Sequence, residues 1–429
     1  MTRDFFMKNH RNKNSRRASF VYLDYAATTP VDTEVLKKMA PYFAARFANP
    51  ASLHAPGREA KVALEQARSS LALILGAEPH EIVFTSSATE SNNLALKGVA
   101  RAYREHGKHI VVSAIEHACV LEAARALERE GFALTVVPVD RSGRVSAEAV
   151  AAVVRSDTIL VSVMHANNEI GTMQPIKEIA RLVQKERARR EPAALDRQSR
   201  TTRDRSLVTR NWLTPPFFHS DAVQTFGRLP VRVRELGVDL LTCSSHKIYG
   251  PKGAALLYVR GGIKIEPLLH GGGHEDGRRS STVNVPAIVG FAEAAAIAER
   301  ARERESRRVL ELSNRLIQLM RQVVPDVVFN GEMEMRVPHI LNARIPGVSG
   351  EALLFALEER GFAVSVASGC SALKLTPSHV LLACGLSKEQ TFESIRISLG
   401  RGTRASDIQK FVKAFAASVE KARALSSRQ

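Results

Sequence analysis

The segment Ser244-Ser245-His246-Lys247 follows the apolar run Val238-Asp239-Leu240-Leu241-Thr242-Cys243 and leads straight into Ile248-Tyr249-Gly250-Pro251-Lys252-Gly253. Lysine is among the residues least often buried without a partner. Partly desolvated at a strand end, its amine has a lowered pKa and can form a Schiff base with an aldehyde. A lysine reaching solvent from the same loop is the plainer reading. Other strand ends carry polar groups as well. Thr85-Ser86-Ser87-Ala88-Thr89-Glu90 opens a helix, where free N–H groups suit an anion such as phosphate, although Ser87 or Thr89 can equally be an ordinary N-cap. Glu116-His117 follows a strand that ends at Ser113, so His117 can stack on a flat ring and move protons, or simply be a satisfied structural histidine. His165-Ala166-Asn167-Asn168-Glu169 offers amides to a carboxylate or phenolic oxygen. Asp221, with Gln224 after it, can pair with a protonated ring nitrogen or cap the following turn.

An anion site, a ring stacker, amide donors, an acid and a Schiff-base lysine together describe a pyridoxal phosphate pocket. The elements that must position them are short β-branched runs alternating with helical patterns from residue 81 to about 260. Strands are expected at 81–85, 109–113, 133–139 and 158–164, and helices at 90–106, 119–130, 147–154 and 176–187. This alternation implies a mostly parallel sheet covered by helices on both faces, in which ligands sit beyond the carboxyl ends of the strands. Residues 188–214 are basic and polar and read as a mobile surface insertion. A long helix from 284 toward 324 leads to a smaller α+β region with strands at 339–344, 363–366 and 394–398 and helices at 351–360 and 407–425. The expected division is a basic disordered tail over 1–20, a large domain over 21–280, and a linking helix with a small domain over 281–429, with which the N-terminal segment can pack.

Of the net charge of +17, ten charges fall within 1–20 and 185–210. A solvated tail and insertion account for them better than nucleic-acid binding does, and no direct DNA binding is expected. The chain has no apolar run long enough to span a membrane, and residues 1–20 lack the apolar core of a secretory signal. The cysteines at 119, 243, 370 and 384 form no CxxC pair, so neither a zinc site nor a disulfide framework is expected and a cytoplasmic location is. Cys370, within Val364-Ser365-Val366-Ala367-Ser368-Gly369-Cys370-Ser371, has the polar, glycine-containing surroundings that favour a reactive thiol.

These motifs resemble the cysteine desulfurase family, class V aminotransferase-like enzymes of fold type I. The resemblance rests on Tyr22-Leu23-Asp24-Tyr25-Ala26-Ala27-Thr28-Thr29-Pro30, Asn49-Pro50-Ala51-Ser52, Ser87-Ala88-Thr89-Glu90-Ser91-Asn92-Asn93, Asn167-Asn168-Glu169-Ile170-Gly171, the run from His246 to Gly253, His270-Gly271-Gly272-Gly273-His274-Glu275, and Ser394-Ile395-Arg396-Ile397-Ser398. It covers about residues 21–420 apart from the insertion. It implies that Lys247 holds pyridoxal 5'-phosphate as a Schiff base, that Asp221 pairs with the ring nitrogen, that Gln224 and Asn168 serve the phenolic oxygen, and that His117 stacks on the ring. It assigns the phosphate to Ala88, Thr89, Ser244 and His246, with Thr282 reaching the site of a partner subunit in a homodimer. Arg396 takes the substrate carboxylate, with Asn168 and Asn49 as further substrate contacts. The implied reaction converts L-cysteine to L-alanine and leaves a persulfide on Cys370 for a sulfur acceptor, an iron–sulfur scaffold or a tRNA-thiolation protein. No resident metal is implied beyond Cys370 as a transient iron–sulfur ligand.

The chain departs from the family pattern at Ala367-Ser368-Gly369-Cys370, where Gly-Ser-Ala-Cys is usual, at Ser245 in place of glycine, and at Ser281 in place of glycine before Thr282. A selenocysteine lyase or another enzyme of the same fold is the nearest alternative, and an inactive regulatory homologue is one of a different class. A metal hydrolase on His270 and His274 lacks a ligand cluster, and no GxSxG elbow supports an esterase.

Overall fold

The computed structural model describes residues 20–201, 212–366 and 376–426. Its thirteen described strands are β1 (Val21–Tyr22), β2 (Ile82–Thr85), β3 (His109–Ser113), β4 (Ala133–Val137), β5 (Thr158–Ser162), β6 (Phe217–Asp221), β7 (Leu240–Ser244), β8 (Ala255–Val259), β9 (Val328–Asn330), β10 (Ile340–Arg344), β11 (Phe362–Ala363), β12 (Ser365–Val366) and β13 (Ser394–Ser398). Seven form one sheet in the order β2-β8-β7-β6-β5-β3-β4. Pairing is parallel from β7 through β6, β5 and β3 to β4, while β8 runs antiparallel to both β7 and β2. Strands β2, β3, β5, β6, β7 and β8 are buried at every position. That is why they read as continuous apolar runs rather than alternating ones.

One apolar cluster lies between this sheet and the helices Ala55–Leu75 and Val285–Val323. Another holds the helix over residues 88–102 and the helix Ala118–Arg129. The reading of alternation from residue 81 omits the first of these helices, although Ala60, Ala63, Leu64, Ala67, Leu71 and Leu75 make its buried stripe. The helix expected over 90–106 forms over 88–102 with a π turn at Leu94–Gly98. A Cβ on Gly98 would stand 2.7 Å from the Glu266 carbonyl oxygen, so only glycine fits there.

The helix Ile176–Thr201 corrects the reading that ended it at 187 and placed a loop next. Ala, Arg, Glu and Gln are strong helix formers, and residues 188–201 are rich in them without an apolar face to announce a helix. At the end of its buried part, Arg187 pairs with the fully buried Asp239, donating from Nη1 at 3.0 Å and also from Nη2. Asp239 also accepts from Arg260 and from the Phe218 amide, tying the starts of β6 and β7 to this helix.

The 39-residue helix Val285–Val323 joins two cores. Ala287, Phe291 and Ala298 belong to the first; Val309, Leu316 and Met320 belong to a second, built with the antiparallel sheet β12-β13-β10-β9. Asn284 caps the helix, and Pro286 occupies its first turn, where no N–H is needed. Strand β1 pairs parallel with β11, bringing the N-terminal segment to this second core.

Candidate active site

The carboxyl ends of β2, β3, β5, β6 and β7 lie along one edge of the large sheet, the edge where open α/β sheets bind ligands. After β7 the chain makes a 3-10 turn, Ser245–Lys247. Lys247 Nζ donates to the carbonyls of Ala26 at 2.6 Å and Ala27 at 2.7 Å, so the segment after β1 closes over it. Arg228 Nη2 donates to the Lys247 carbonyl at 2.7 Å. The next turn is strained, because Tyr249 has φ +69°, a conformation costly for a bulky residue. It is held by bonds at both ends: its amide donates to Thr29 Oγ1 at 2.8 Å, and its hydroxyl oxygen accepts from the Arg401 amide at 2.6 Å. A Cβ on Gly250 would lie 2.1 Å from Ser245 Oγ, which explains the glycine directly after Tyr249.

Asp221 ends β6 and is 5 % exposed. Its Oδ1 accepts from the Val223 amide at 2.9 Å and its Oδ2 from Asn92 Nδ2 at 2.7 Å. The capping reading therefore holds, and the carboxylate also faces the pocket neighbours. Gln224 Nε2 donates to the same Ala26 carbonyl as Lys247, at 3.1 Å, and its Oε1 meets His339 Nε2 at 3.1 Å. His117 is the N-cap of the helix Ala118–Arg129. Burial pulls its pKa down; Asp221 opposes this, and Lys247 and His379 add to it.

Ser87, not Thr89, caps the helix after β2, its hydroxyl accepting from the Glu90 amide. Glu90 is held by Arg279 and by Ser86. The first-turn amides of Ala88 and Thr89 have no carbonyl to meet within the helix. Ser244 is buried at the end of β7. His246 Nδ1 meets Thr28 Oγ1 at 3.0 Å, and burial, with Lys247 beside it, lowers its pKa to about 4, so the ring is neutral.

Arg396 lies on β13, in the other sheet, and is 4 % exposed. Its Nη2 donates to Asp24 Oδ1 at 2.8 Å and its Nη1 to the Asn168 carbonyl at 3.0 Å, while its Nε is buried without a hydrogen-bond partner among the described residues. Asn168 and Arg396 are thus brought together. The adjacent Asn167 is structural: its amide donates to the Ile115 carbonyl and accepts from Glu169 and Ile170. Asn49 and Thr282 are exposed, with local bonds only: Asn49 Oδ1 takes the Ala51 amide, and the Thr282 carbonyl takes Ser281 Oγ. Cys370 lies outside the described residues. The strands and turns that flank its segment are anchored beside Arg396: Ser365 of β12 is the register partner of Arg396, and Ser378 Oγ donates to Glu169.

Sequence reasoning gave no role to Asn92, Cys119, His339 or Asp24. Each is a polar side chain beside an otherwise apolar element, a signal that marks a partner without telling which one. The Gly271–Gly273 run has a structural task through Glu275, which takes both Arg68 Nη atoms at 2.8 Å and the Phe84 amide, fastening the loop to β2.

A model of the aminotransferase class-V family matches residues 21–189 and 215–411. The chain is 42 % identical over 406 residues to the cysteine desulfurase IscS of Dictyoglomus turgidum, covering 95 % of this chain and 96 % of that one. It is 40 % identical over 409 residues to the cysteine desulfurase of Homo sapiens, covering 95 % and 83 %. Among solved structures, a NifS-like protein matches with TM-score 0.83 at 35 % identity over 94 % of this chain and all of the other. DndA from Streptomyces lividans matches with TM-score 0.69 at 36 % identity, over 88 % and 99 %. The chain belongs to the aminotransferase class-V family, among the cysteine desulfurases. Members of this family depend on pyridoxal 5'-phosphate, and the fold is that of the family's α/β enzymes.

The residues fit that cofactor. Asp221 is a buried carboxylate with no Lys or Arg salt bridge among the described residues, and a buried anion needs a cationic partner; a protonated ring nitrogen would be one. Lys247 supplies the amine, and the helix over residues 88–102 supplies unbonded amides for a phosphate.

Proposed function

We propose that this chain takes L-cysteine to L-alanine, leaves the sulfur on Cys370 as a persulfide, and passes it to an acceptor. The observation that carries the reading is the meeting of Lys247, Gln224 and Ala26 at the end of one sheet with Arg396 and Asn168 at its junction with the other.

Each residue has a task in this reading. Lys247 would anchor the cofactor aldehyde. Asp221 would keep the ring nitrogen protonated, Gln224 would donate to the phenolic oxygen, and His117 would cover the ring. Ala88, Thr89, Ser244 and His246 would hold the phosphate. When bound, pyridoxal 5'-phosphate supplies an electron sink for the substrate's carbon skeleton. Arg396, steadied by Asp24 and the Asn168 carbonyl, would orient the substrate carboxylate, a task suited to a planar fork of donors. The Cys370 thiolate would then form an S–S bond to the substrate sulfur. The substrate's carbon–sulfur bond breaks, its electron pair stays with carbon, and a proton added there gives alanine.

A homodimer belongs to the same proposal. Phe43, Phe47, Leu53, Val62 and Leu73 are exposed on and around the helix Ala55–Leu75, an apolar surface of the kind that marks an interface. A partner subunit there would account for the exposed Asn49 and Thr282 as residues that serve across the interface. The acceptor would be an iron–sulfur scaffold or a tRNA-thiolation protein, in the cytoplasm; no described helix is long and apolar enough to cross a membrane. The test is to supply pyridoxal 5'-phosphate and L-cysteine and measure alanine and sulfide for the wild type and Cys370→Ala. Alanine formation that depends on Cys370 supports the reading, and equal turnover by both proteins removes the persulfide role.

A further inference from the structure

His117 and Asp221, both used in the reading above, are joined by Cys119 and Asn92, which that reading does not use. His117 Nδ1 accepts the Cys119 amide N–H at 3.2 Å, and Cys119 Sγ lies 3.0 Å from the same nitrogen. An amide N–H can only donate, so Nδ1 is the acceptor nitrogen. A neutral imidazole whose Nδ1 accepts carries its proton on Nε2. On its other side, Cys119 Sγ accepts from Asn92 Nδ2 at 3.2 Å, and that same amide nitrogen donates to Asp221 Oδ2 at 2.7 Å. Asn92 is fully buried and its Oδ1 has no partner among the described residues, so this side chain is held by its donor end.

We propose that Cys119 is a positioning residue, whose amide and thiol fix His117 in the Nε2–H form and join it through Asn92 to Asp221. The inference rests on His117 and Asp221 being the ring-stacking and ring-nitrogen residues of the proposed site. Its basis is geometric. His117 is the N-cap of the helix Ala118–Arg129, which brings the Cys119 amide, in the first turn, within reach of its ring. The helix over residues 88–102 brings Asn92 between that thiol and the end of β6. Burial, with Asp221 adding to it, pushes the Cys119 thiol up to about 12, so it stays protonated and has a hydrogen to donate. Other groups facing His117 are Asp221 from β6, Lys247 from the turn after β7, and His379 from the helix His379–Ala383. A hydrogen bond donated to the unprotonated nitrogen stabilises the neutral ring and holds its pKa down.

The test is nitrogen-15 NMR of labelled histidine in the cofactor-loaded enzyme and in the cofactor-free protein, followed through a pH titration. Wild-type His117 should show Nδ1 unprotonated and Nε2 protonated. Cys119→Ala, which keeps the amide N–H but loses the thiol, should move the His117 titration midpoint upward with Nδ1 still the acceptor, while Cys119→Ser, which keeps a donor of similar reach, should behave like the wild type. The acidic limb of the kcat/KM profile should move upward in Cys119→Ala and not in Cys119→Ser. A wild-type His117 protonated on Nδ1, or a Cys119→Ala spectrum identical to the wild type, would overturn the proposal. The cofactor-free measurement separates this outcome from a failure of the cofactor reading, which shows instead as a wild type without Lys247-dependent near-visible absorbance.

Discussion

Lys247 is placed by β7, a strand buried at every position within the large sheet, whereas Arg396 is placed by an inner strand of the smaller antiparallel sheet and reaches the site through contacts between the two. Around Lys247 the constraints are dense: a 3-10 turn, two carbonyls on Nζ, an arginine on its carbonyl, and a strained tyrosine pinned at both ends. Around Arg396 the side-chain constraints are fewer, Asp24 on Nη2 and the Asn168 carbonyl on Nη1. On the proposed assignment, the half given to the cofactor is built into the sheet, and the half given to the substrate depends on how the two cores meet. A reaction that must admit a substrate and then a carrier thiol is served by that division, because the part that adjusts is not the part that holds the cofactor.

Four substitutions and one surface control follow. Lys247→Ala should have the largest effect, abolishing both turnover and the near-visible absorbance of the loaded enzyme, since no other described amine is bonded into the strand-end cluster; retained absorbance would contradict the anchor assignment. Arg396→Ala should spare the absorbance but raise KM for L-cysteine by roughly 30-fold or more, since truncating one partner of a buried hydrogen-bonded charge pair costs about 2–5 kcal/mol. Steady-state kinetics beside the absorption spectrum would separate the two halves.

Arg187→Ala acts on the frame behind the cofactor half. It leaves Asp239 buried with only the partly exposed Arg260 as a cationic partner, and breaking a buried pair costs about 3–5 kcal/mol. Denaturant unfolding should show a loss of that order, whereas Arg423→Ala, which breaks an exposed pair with Asp326, should change stability by less than about 1 kcal/mol.

The last substitution concerns Glu116, fully buried between β3 and His117, its Oε1 accepting from Ser113 and from the Met164 amide. Burial raises its pKa to about 8. A carboxyl with a raised folded-state pKa binds more protons folded than unfolded between its ordinary value of about 4.3 and that raised value. Its contribution to stability is most favourable below this window and declines as pH rises through it. Glu116→Gln should flatten that part of the profile, read as the wild-type minus variant difference in thermal midpoint. A difference that does not vary with pH would contradict the raised pKa.

The strands were legible because burial on both faces writes itself as unbroken apolar runs, and the residues proposed for the site could be picked out because they stand just after those runs. His117, Asn168, Asp221 and Lys247 are each within a few residues of a strand end. Asn92 and His339 were not legible as site neighbours, since what gives each its role is a contact 129 or 115 residues away in sequence. Asp24 sat inside a recognised motif, yet its bond to Arg396 has no local sign. The continuation of the helix to Thr201 was hidden for a different reason: it lacks the apolar periodicity by which a packed helix is read, and Pro192 interrupts its run of helix-forming residues.

Peptide mass spectrometry after exposure of the loaded enzyme to L-cysteine tests the central claim most directly. The account predicts one added sulfur, removable by a thiol reductant, on the peptide carrying Cys370, with alanine formed in the same reaction. Alanine formation with no added sulfur on Cys370, or with the sulfur on Cys119 instead, would contradict it.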